Sequence, residues 1–167
     1  NLYKYKLGKI ENNLAFGFRL YKANTIRKQE GRGTTGSDFD LTTENGFPRD
    51  LNFYTENVAL FAENQFKLTE KLSVTPGLRY EYINSIGNGR FGISSGNDVP
   101  FEEKEISRSK PLFGLGMEYK LGSTNIYANI TQAYRPVLFS DITPPAVTDQ
   151  IDPNLKDASG FNADLGY

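Results

Sequence analysis

Alternation of apolar and polar residues constrains the fold of this chain more than any other feature. From residue 58 to residue 68 the even positions are mostly apolar and the odd positions mostly polar, and the pattern resumes from residue 72 to residue 82. Side chains of a β-strand point alternately to its two faces, so this period predicts strands rather than helices. The two segments are expected to pair as an antiparallel hairpin around Thr69–Lys71, with Leu68 opposite Leu72.

Two further hairpins are predicted by the same pattern. Gly122-Ser123 suits a two-residue turn, because glycine readily adopts the positive φ that such turns need. This turn would place Tyr119 opposite Ile126, so that apolar residues meet across the strand pair. Another hairpin is predicted near the start of the chain, with its turn in residues 9–12.

The predicted connections alternate in length. Short turns close the three hairpins, whereas residues 24–53, 87–109 and 135–159 form long segments rich in Gly, Asp, Asn and Ser. With a seventh strand starting at Gly160, all the long loops would lie at one end of the strands. Strands of ~9 to 11 residues with short turns at one end and long loops at the other are typical of outer-membrane β-barrels. The alternative is a soluble β-sandwich, whose strands are usually ~5 to 6 residues long.

The composition excludes several classes of function. The 167 residues include neither Cys nor His, which removes disulfides, thiolate and imidazole metal ligands, and every catalytic triad that uses His as its base. The net charge of −1 argues against a general nucleic-acid binder. No run approaches the ~20 apolar residues of a membrane helix. Because the chain lacks an initial Met and a signal-like segment, we expect it to be a piece of a longer protein.

Three stretches resemble the TonB-dependent outer-membrane receptors. They are NVALFAENQFKLTEKLSVTPGLRYEYI at residues 57–83, YANITQAYRPVLFSDITPP at residues 127–145 and IDPNLKDASGFNADLGY at residues 151–167. The first is similar to a hairpin with a K-L-T-x-x-L turn that returns through P-G-x-R-Y. The others resemble a strand ending in an aromatic residue and Arg, followed downstream by N-P-x-L-K-P-E. Here Asp157 replaces the Pro-Glu, and GRGTTGSDFDL at residues 31–41 looks most like the ferric citrate (FecA-like) branch.

The resemblance implies that residues 1–167 are part of an antiparallel, up-and-down transmembrane barrel of about 22 strands, from which an N-terminal plug domain is missing. Such receptors lie in the outer membrane of Gram-negative bacteria, surrounded by lipid. They bind a ferric chelate outside and import it with energy relayed by TonB through the plug. The chelate would be the transported ligand and not a cofactor, and neither an enzyme activity nor a catalytic residue is implied.

Basic residues near the strand ends are candidate ligand contacts. A ferric citrate complex is anionic, and guanidinium groups bind carboxylates in bidentate geometry. Arg135 is placed where a strand ends at Pro136, and its parity is that of the polar face, whereas Tyr134 is expected on the lipid face. The candidate ligand-binding residues are Arg27, Lys28, Arg32, Arg90, Arg108 and Arg135.

Two alternative functions stay open at this stage. A small non-energised barrel, porin-like or adhesin-like, would show the same alternation, and TonB-dependent uptake of a non-iron nutrient would share the motifs. Asp38, Asp40 and Glu44 alternate as the acids of calcium loops do, but they lack the Gly and the terminal Glu of that motif, so no metal site is predicted.

Overall fold

The computed structural model describes residues 1–37, 39–143, 152 and 154–167. The long strands are β1 (Leu2–Leu7), β2 (Ile10–Gln29), β5 (Arg49–Lys67), β6 (Leu72–Ser94), β7 (Asn97–Leu121), β8 (Thr124–Arg135) and β9 (Ala158–Gly166). They form one sheet in the order β1-β2-β5-β6-β7-β8-β9, with β1 and β9 at its edges. A second sheet pairs β3 (Arg32–Gly33) with β4 (Thr43–Glu44). This up-and-down order confirms the predicted all-β class and the seven strands.

One helical turn, α1, covers Phe139–Ile142 in the connection between β8 and β9. No helix in the described part of the chain is long and apolar enough to cross a membrane.

The hairpin of β7 and β8 has the register that the sequence predicts. Tyr119 lies opposite Ile126, Leu121 lies opposite Thr124, and the turn is Gly122-Ser123. Gly122 has a φ of 62°, which explains the need for glycine at this position. The turn chemistry and the apolar alternation therefore determine this register together.

The turn of the first hairpin is shorter than predicted and lies closer to the start of the chain. Leu7 pairs with Ile10, so the turn is Gly8-Lys9 and not residues 9–12. Gly8 adopts a φ of 63°, as a tight turn requires. Asn12, which resembles a turn residue, lies inside β2 and is buried, and its Oδ1 accepts a hydrogen bond from the Lys67 amide at 3.2 Å.

The prediction of a long loop at residues 87–109 is wrong. These residues continue β6 and β7, which are 23 and 25 residues long, and the chain reverses at Ser95-Gly96. Polar side chains pair across this hairpin, as the Asn88 amide does with Glu103 at 3.3 Å. Polar and glycine-rich composition resembles a loop, but the backbone hydrogen bonds of a strand pair do not depend on the type of side chain, and Phe91 and Phe101 of this hairpin are buried.

The other two long connections exist but are shorter than predicted. Residues 30–48 join β2 to β5, and residues 136–157 join β8 to β9. Because the strands alternate in direction, these two connections and the Ser95-Gly96 turn all follow strands that run in one direction. The short turns of residues 8–9, 68–71 and 122–123 follow strands that run in the opposite direction.

The chain divides into two compact units. Unit 1 consists of residues 1–19, 58–82 and 109–167, and unit 2 consists of residues 20–57 and 83–108. Unit 1 exposes large apolar side chains along alternate positions of its strands, here called the apolar face. Members of the apolar face include Phe16, Phe18, Leu60, Leu78, Leu115, Met117, Ile130 and Phe161. Exposure on this scale is typical of a membrane barrel and uncommon in a soluble domain.

Unit 2 has a small buried core of its own. Leu51 is fully buried, and Phe53, Phe91 and Phe101 are nearly so. The rings of Phe53 and Phe101 meet edge to face with centroids 6.5 Å apart. Full burial of such a side chain stabilises a fold by about 1.5–3 kcal/mol, so this core contributes to the stability of the strands around it.

Candidate ligand-binding surfaces

The face of unit 1 opposite the apolar face is polar and rich in glycine, and is here called the polar face. It contains a concavity of about 510 Å³. Gly77 of β6 and Gly114 and Gly116 of β7 leave the wall flat there, and a Cβ on Gly116 would lie 2.9 Å from Asn129 Oδ1. The charged residues that line the concavity are Glu63 and Glu118. The concavity therefore suits polar or basic groups better than an anionic chelate.

The end of β8 is attached to the polar face by Tyr134. Its hydroxyl donates to Glu81 Oε2 at 2.6 Å, and Glu81 Oε1 forms an ion pair with Arg79 Nη2 at 2.9 Å. Arg79 and Glu81 lie two and four residues after Gly77 in β6, so their side chains point to the same face as Gly77. The prediction that Tyr134 lies on the lipid face is therefore wrong, because a charged acceptor on the polar face binds its hydroxyl.

Lys110 of β7 holds both ends of the connection between β8 and β9. Its ammonium lies 3.2 Å from Asp157 Oδ2 and 5.9 Å from the centre of the Tyr134 ring. Asp157 Oδ1 accepts a hydrogen bond from the Val137 amide at 3.0 Å. The Asp that replaces the Pro-Glu of the family pattern thus joins the start of this connection to its end.

Arg135 forms an ion pair with Asp141, which lies in the connection between β8 and β9. Its Nη2 lies 3.1 Å from Asp141 Oδ1, and Asp141 Oδ2 accepts a hydrogen bond from the Leu138 amide at 3.0 Å. The Leu138 amide and, after it, the Arg135 guanidinium hold the pKa of Asp141 below its ordinary value. The Arg135 side chain is nevertheless 63% exposed, so a ligand can reach it.

The other five predicted contacts lie in unit 2. Arg27 Nε lies 3.0 Å from Gln29 Oε1, Lys28 Nζ lies 3.5 Å from Asp50 Oδ2, and Arg32 Nε lies 3.8 Å from Glu44 Oε2. Arg90 donates to the carbonyls of Phe47 and Pro48. Four of the five are strand residues rather than the loop residues that the sequence predicts, since Arg27 and Lys28 lie in β2, Arg90 in β6 and Arg108 in β7. Arg32, with 84% of its side chain exposed, is more accessible than Arg27 and Lys28.

Sequence reasoning missed Arg49, which is buried at the start of β5. Only 7% of this residue is exposed, and its guanidinium binds acceptors on β2 and β6. The sequence places residue 49 directly after Pro48 in an apparent loop, and no local pattern distinguishes it from the solvated basic residues. Its burial follows from three strands meeting at this point.

Asp40 organises the tip of the connection between β2 and β5. Its Oδ2 accepts a hydrogen bond from Thr34 Oγ1 at 2.7 Å, and its Oδ1 accepts from the Thr42 amide at 2.9 Å and from the Thr42 hydroxyl. The hydrogen bonds from Thr34 and then Thr42 hold the pKa of Asp40 well below its ordinary value. Phe39 and Leu41, on either side, are 97% and 86% exposed.

Within the described residues, no group of three or more acidic side chains could hold a metal ion. Asp38, the first acid of the alternating set, lies outside the described residues. Asp40 uses both its carboxylate oxygens within its own turn.

An antiparallel sheet with one apolar face and one polar face, as in unit 1, is typical of a membrane barrel. The whole chain, residues 1–167, matches the family described as TonB dependent receptor-like, beta-barrel, and the chain belongs to this family. The predicted resemblance to TonB-dependent receptors is therefore confirmed at the level of the family.

Two similar proteins carry names that describe receptors. The rhizobactin receptor of Rhizobium meliloti (strain 1021) is 27% identical over 111 residues, which are 59% of this chain and 14% of the relative. The crystal structure of the ferric-catecholate import receptor Fiu from K12 E. coli, in a closed form, aligns with a TM-score of 0.72 and 15% identity. That alignment covers 99% of this chain and 27% of the other. The chain thus spans only a minor part of either protein.

Proposed function

We propose that this chain forms part of the wall and the external loops of an outer-membrane receptor that binds a ferric chelate and imports it with energy from TonB. Family membership over the whole chain carries the proposal, and it favours an energised receptor over a small porin-like or adhesin-like barrel. The names of the two similar proteins support a siderophore as the cargo. In this role the chain has no enzyme activity, lipid surrounds its apolar face, and the plug that contacts TonB belongs to another part of the protein.

Ferric citrate is the proposed chelate. The GRGTTGSDFDL loop supports it by resemblance, and accessible guanidinium groups support it by charge, since they bind carboxylates directly. Arg32 and Arg135 are the foremost proposed contacts because their side chains are 84% and 63% exposed. Each is paired with one carboxylate, from Glu44 or Asp141, that an anionic ligand could replace. Arg27, Lys28 and Arg108 are proposed as secondary contacts.

Isothermal titration of the full-length parent receptor in detergent tests this proposal. The titrants are ferric citrate, iron-free citrate and a ferric catecholate, and the variants are Arg32→Ala and Arg135→Ala. Lys22→Ala is the control for charge, because Lys22 is 80% exposed and pairs with Glu56 at 2.6 Å outside the proposed contacts. We expect heat with ferric citrate only, and a loss of affinity of about tenfold in each Arg variant, as for one charge-assisted hydrogen bond.

The outcomes separate the levels of the proposal. Heat with the ferric catecholate alone would replace citrate as the cargo and leave a siderophore receptor. No heat with any ferric chelate would overturn the iron assignment. Energised import is tested apart from binding, by uptake of radiolabelled iron in cells with and without TonB, and equal uptake in both would refute it.

A further inference from the structure

The connection of residues 30–48, here called the β2–β5 loop, is held at its end by Arg90 of β6. Arg90 donates from Nη2 to the Phe47 carbonyl at 2.7 Å and from Nε to the Pro48 carbonyl at 2.9 Å. Its Nη1 lies 3.3 Å from Asp98 Oδ1. A planar guanidinium that binds two consecutive carbonyls fixes their orientation, which a flexible ammonium does not. Arg90 therefore sets the path by which the chain leaves the loop.

Arg49 joins the two ends of the same loop. It follows the last residue of the loop, and its Nη1 and Nη2 bind Gln29 and Glu30 at the beginning, both at 3.1 Å. Its Nε donates to the Phe91 carbonyl at 3.2 Å, and the guanidinium carbon lies 4.5 Å from the centre of the Phe91 ring. A buried charge is strongly destabilising once a partner is removed, so opening the base of the loop would be costly.

Close packing beneath the loop restricts its base further. A Cβ on Gly31 would lie 2.7 Å from Thr43 Cγ2, and a Cβ on Gly89 would lie 2.3 Å from the Asp50 carbonyl oxygen. Glu30 has a φ of 66°, which is uncommon for a residue other than glycine. The contacts of both arginines and the packing thus specify one conformation of the base.

We infer that Arg90 is a positioning residue, which orders the β2–β5 loop before any ligand arrives, and that it is not a ligand contact. Its three side-chain nitrogens already donate to acceptors of unit 2. The ordering follows from these contacts alone, whereas its use in capturing a chelate rests on the proposed function. A loop that is ordered beforehand loses less binding free energy to ordering. Arg32 in β3, and Phe39 and Leu41 at the tip, are then presented in fixed places.

The test uses the full-length receptor without ligand. Loss of a positioning residue would loosen the loop under these conditions, whereas loss of a residue that only contacts the ligand would leave the loop unchanged. Hydrogen exchange is measured for Arg90→Ala, Arg90→Lys and the charge-matched control Lys22→Ala. A nitroxide on Leu41→Cys reports the mobility of the loop tip. We expect exchange of amides in residues 31–47 to rise about tenfold or more in Arg90→Ala, with exchange unchanged in residues 58–82 and an unchanged Tm.

Arg90→Lys should give an intermediate rate, because one ammonium cannot hold two carbonyls in a fixed plane. Lys22→Ala should leave the exchange of the loop unchanged. Unaltered exchange and nitroxide mobility in Arg90→Ala would overturn the inference. A rise spread evenly through both units, with a lower Tm, would also overturn it by showing a general structural role.

Binding of ferric citrate adds a second readout. If Arg90 only positions the loop, Arg90→Ala lowers the association rate and leaves the dependence of affinity on salt concentration unchanged. A smaller salt dependence would indicate direct contact with the anionic chelate and would contradict the inference. Because the exchange measurement needs no ligand, a failure of ferric citrate to bind would count against the proposed cargo and not against the positioning role.

Discussion

Ile130→Arg tests which face of unit 1 meets lipid. Ile130 lies within β8, opposite Leu115 of β7 and Ala163 of β9, and it is 48% exposed on the apolar face. The next residue, Thr131, lies opposite Gly114 and lines the concavity of the polar face. The same substitution at these two adjacent positions therefore changes only the face that receives the charge.

The expected difference follows from the cost of a charge in hydrocarbon. An Arg on the lipid face of a membrane barrel costs ~2–4 kcal/mol at the bilayer midplane, and ~0–1 kcal/mol near the interface. At Ile130 the larger cost corresponds to a fall of about 30- to 700-fold in the ratio of folded to unfolded protein. At Thr131 the guanidinium enters a polar concavity that contains Glu118, so we expect a change of less than about 1 kcal/mol.

The assay is a guanidinium titration of the full-length receptor folding into phospholipid vesicles, followed by its heat-modifiable mobility in gels. Ile130→Arg should shift the midpoint to lower denaturant, and Thr131→Arg should leave it near that of the parent. Equal shifts for the two variants would refute the assignment of faces, and a larger shift for Thr131→Arg would reverse it.

Two further predictions concern unit 2. Gly89 has a φ of 129°, and its Cβ would meet the Asp50 carbonyl oxygen, so Gly89→Ala should destabilise the β5–β6 strand pair by about 2–4 kcal/mol in hydrogen exchange. Gly92→Ala, where a Cβ meets no atom within 4 Å, is the control, and an equal effect there would contradict the steric argument. The pKa of Asp40 is lower in the folded loop than its ordinary value of 3.8, so its ionised form stabilises the loop. This stabilisation is complete above about pH 4 and is lost as the pH falls through the lower folded value. A nitroxide on Leu41→Cys should therefore stay ordered from about pH 7 to about pH 4, and mobility rising above about pH 5 would exclude this role for Asp40.

Local sequence signals were sufficient for the strand class, the two faces and one complete register. The alternation of β5 to β8 is a property of single strands, and Gly122-Ser123 specifies its turn through backbone conformation, so the sequence alone places Tyr119 opposite Ile126. The family resemblance likewise rests on short motifs that survive in one sequence. These features depend on residues close together in the chain.

The ends of the strands and the partners of the arginines were decided by contacts between distant residues. Residues 87–109 have the composition of a loop, yet they form two strands whose Phe91 and Phe101 are buried and whose Asn88 and Glu103 pair across the hairpin. Tyr134 leaves the expected face because Glu81, far away in sequence, offers it a charged acceptor. In the sequence alone, Arg90 is equivalent to Arg32, but only the folded chain brings the Phe47 and Pro48 carbonyls to its guanidinium. Alternation determines the side of a strand to which a residue points, whereas a charged group takes its role from the partners that the tertiary fold brings within hydrogen-bonding distance.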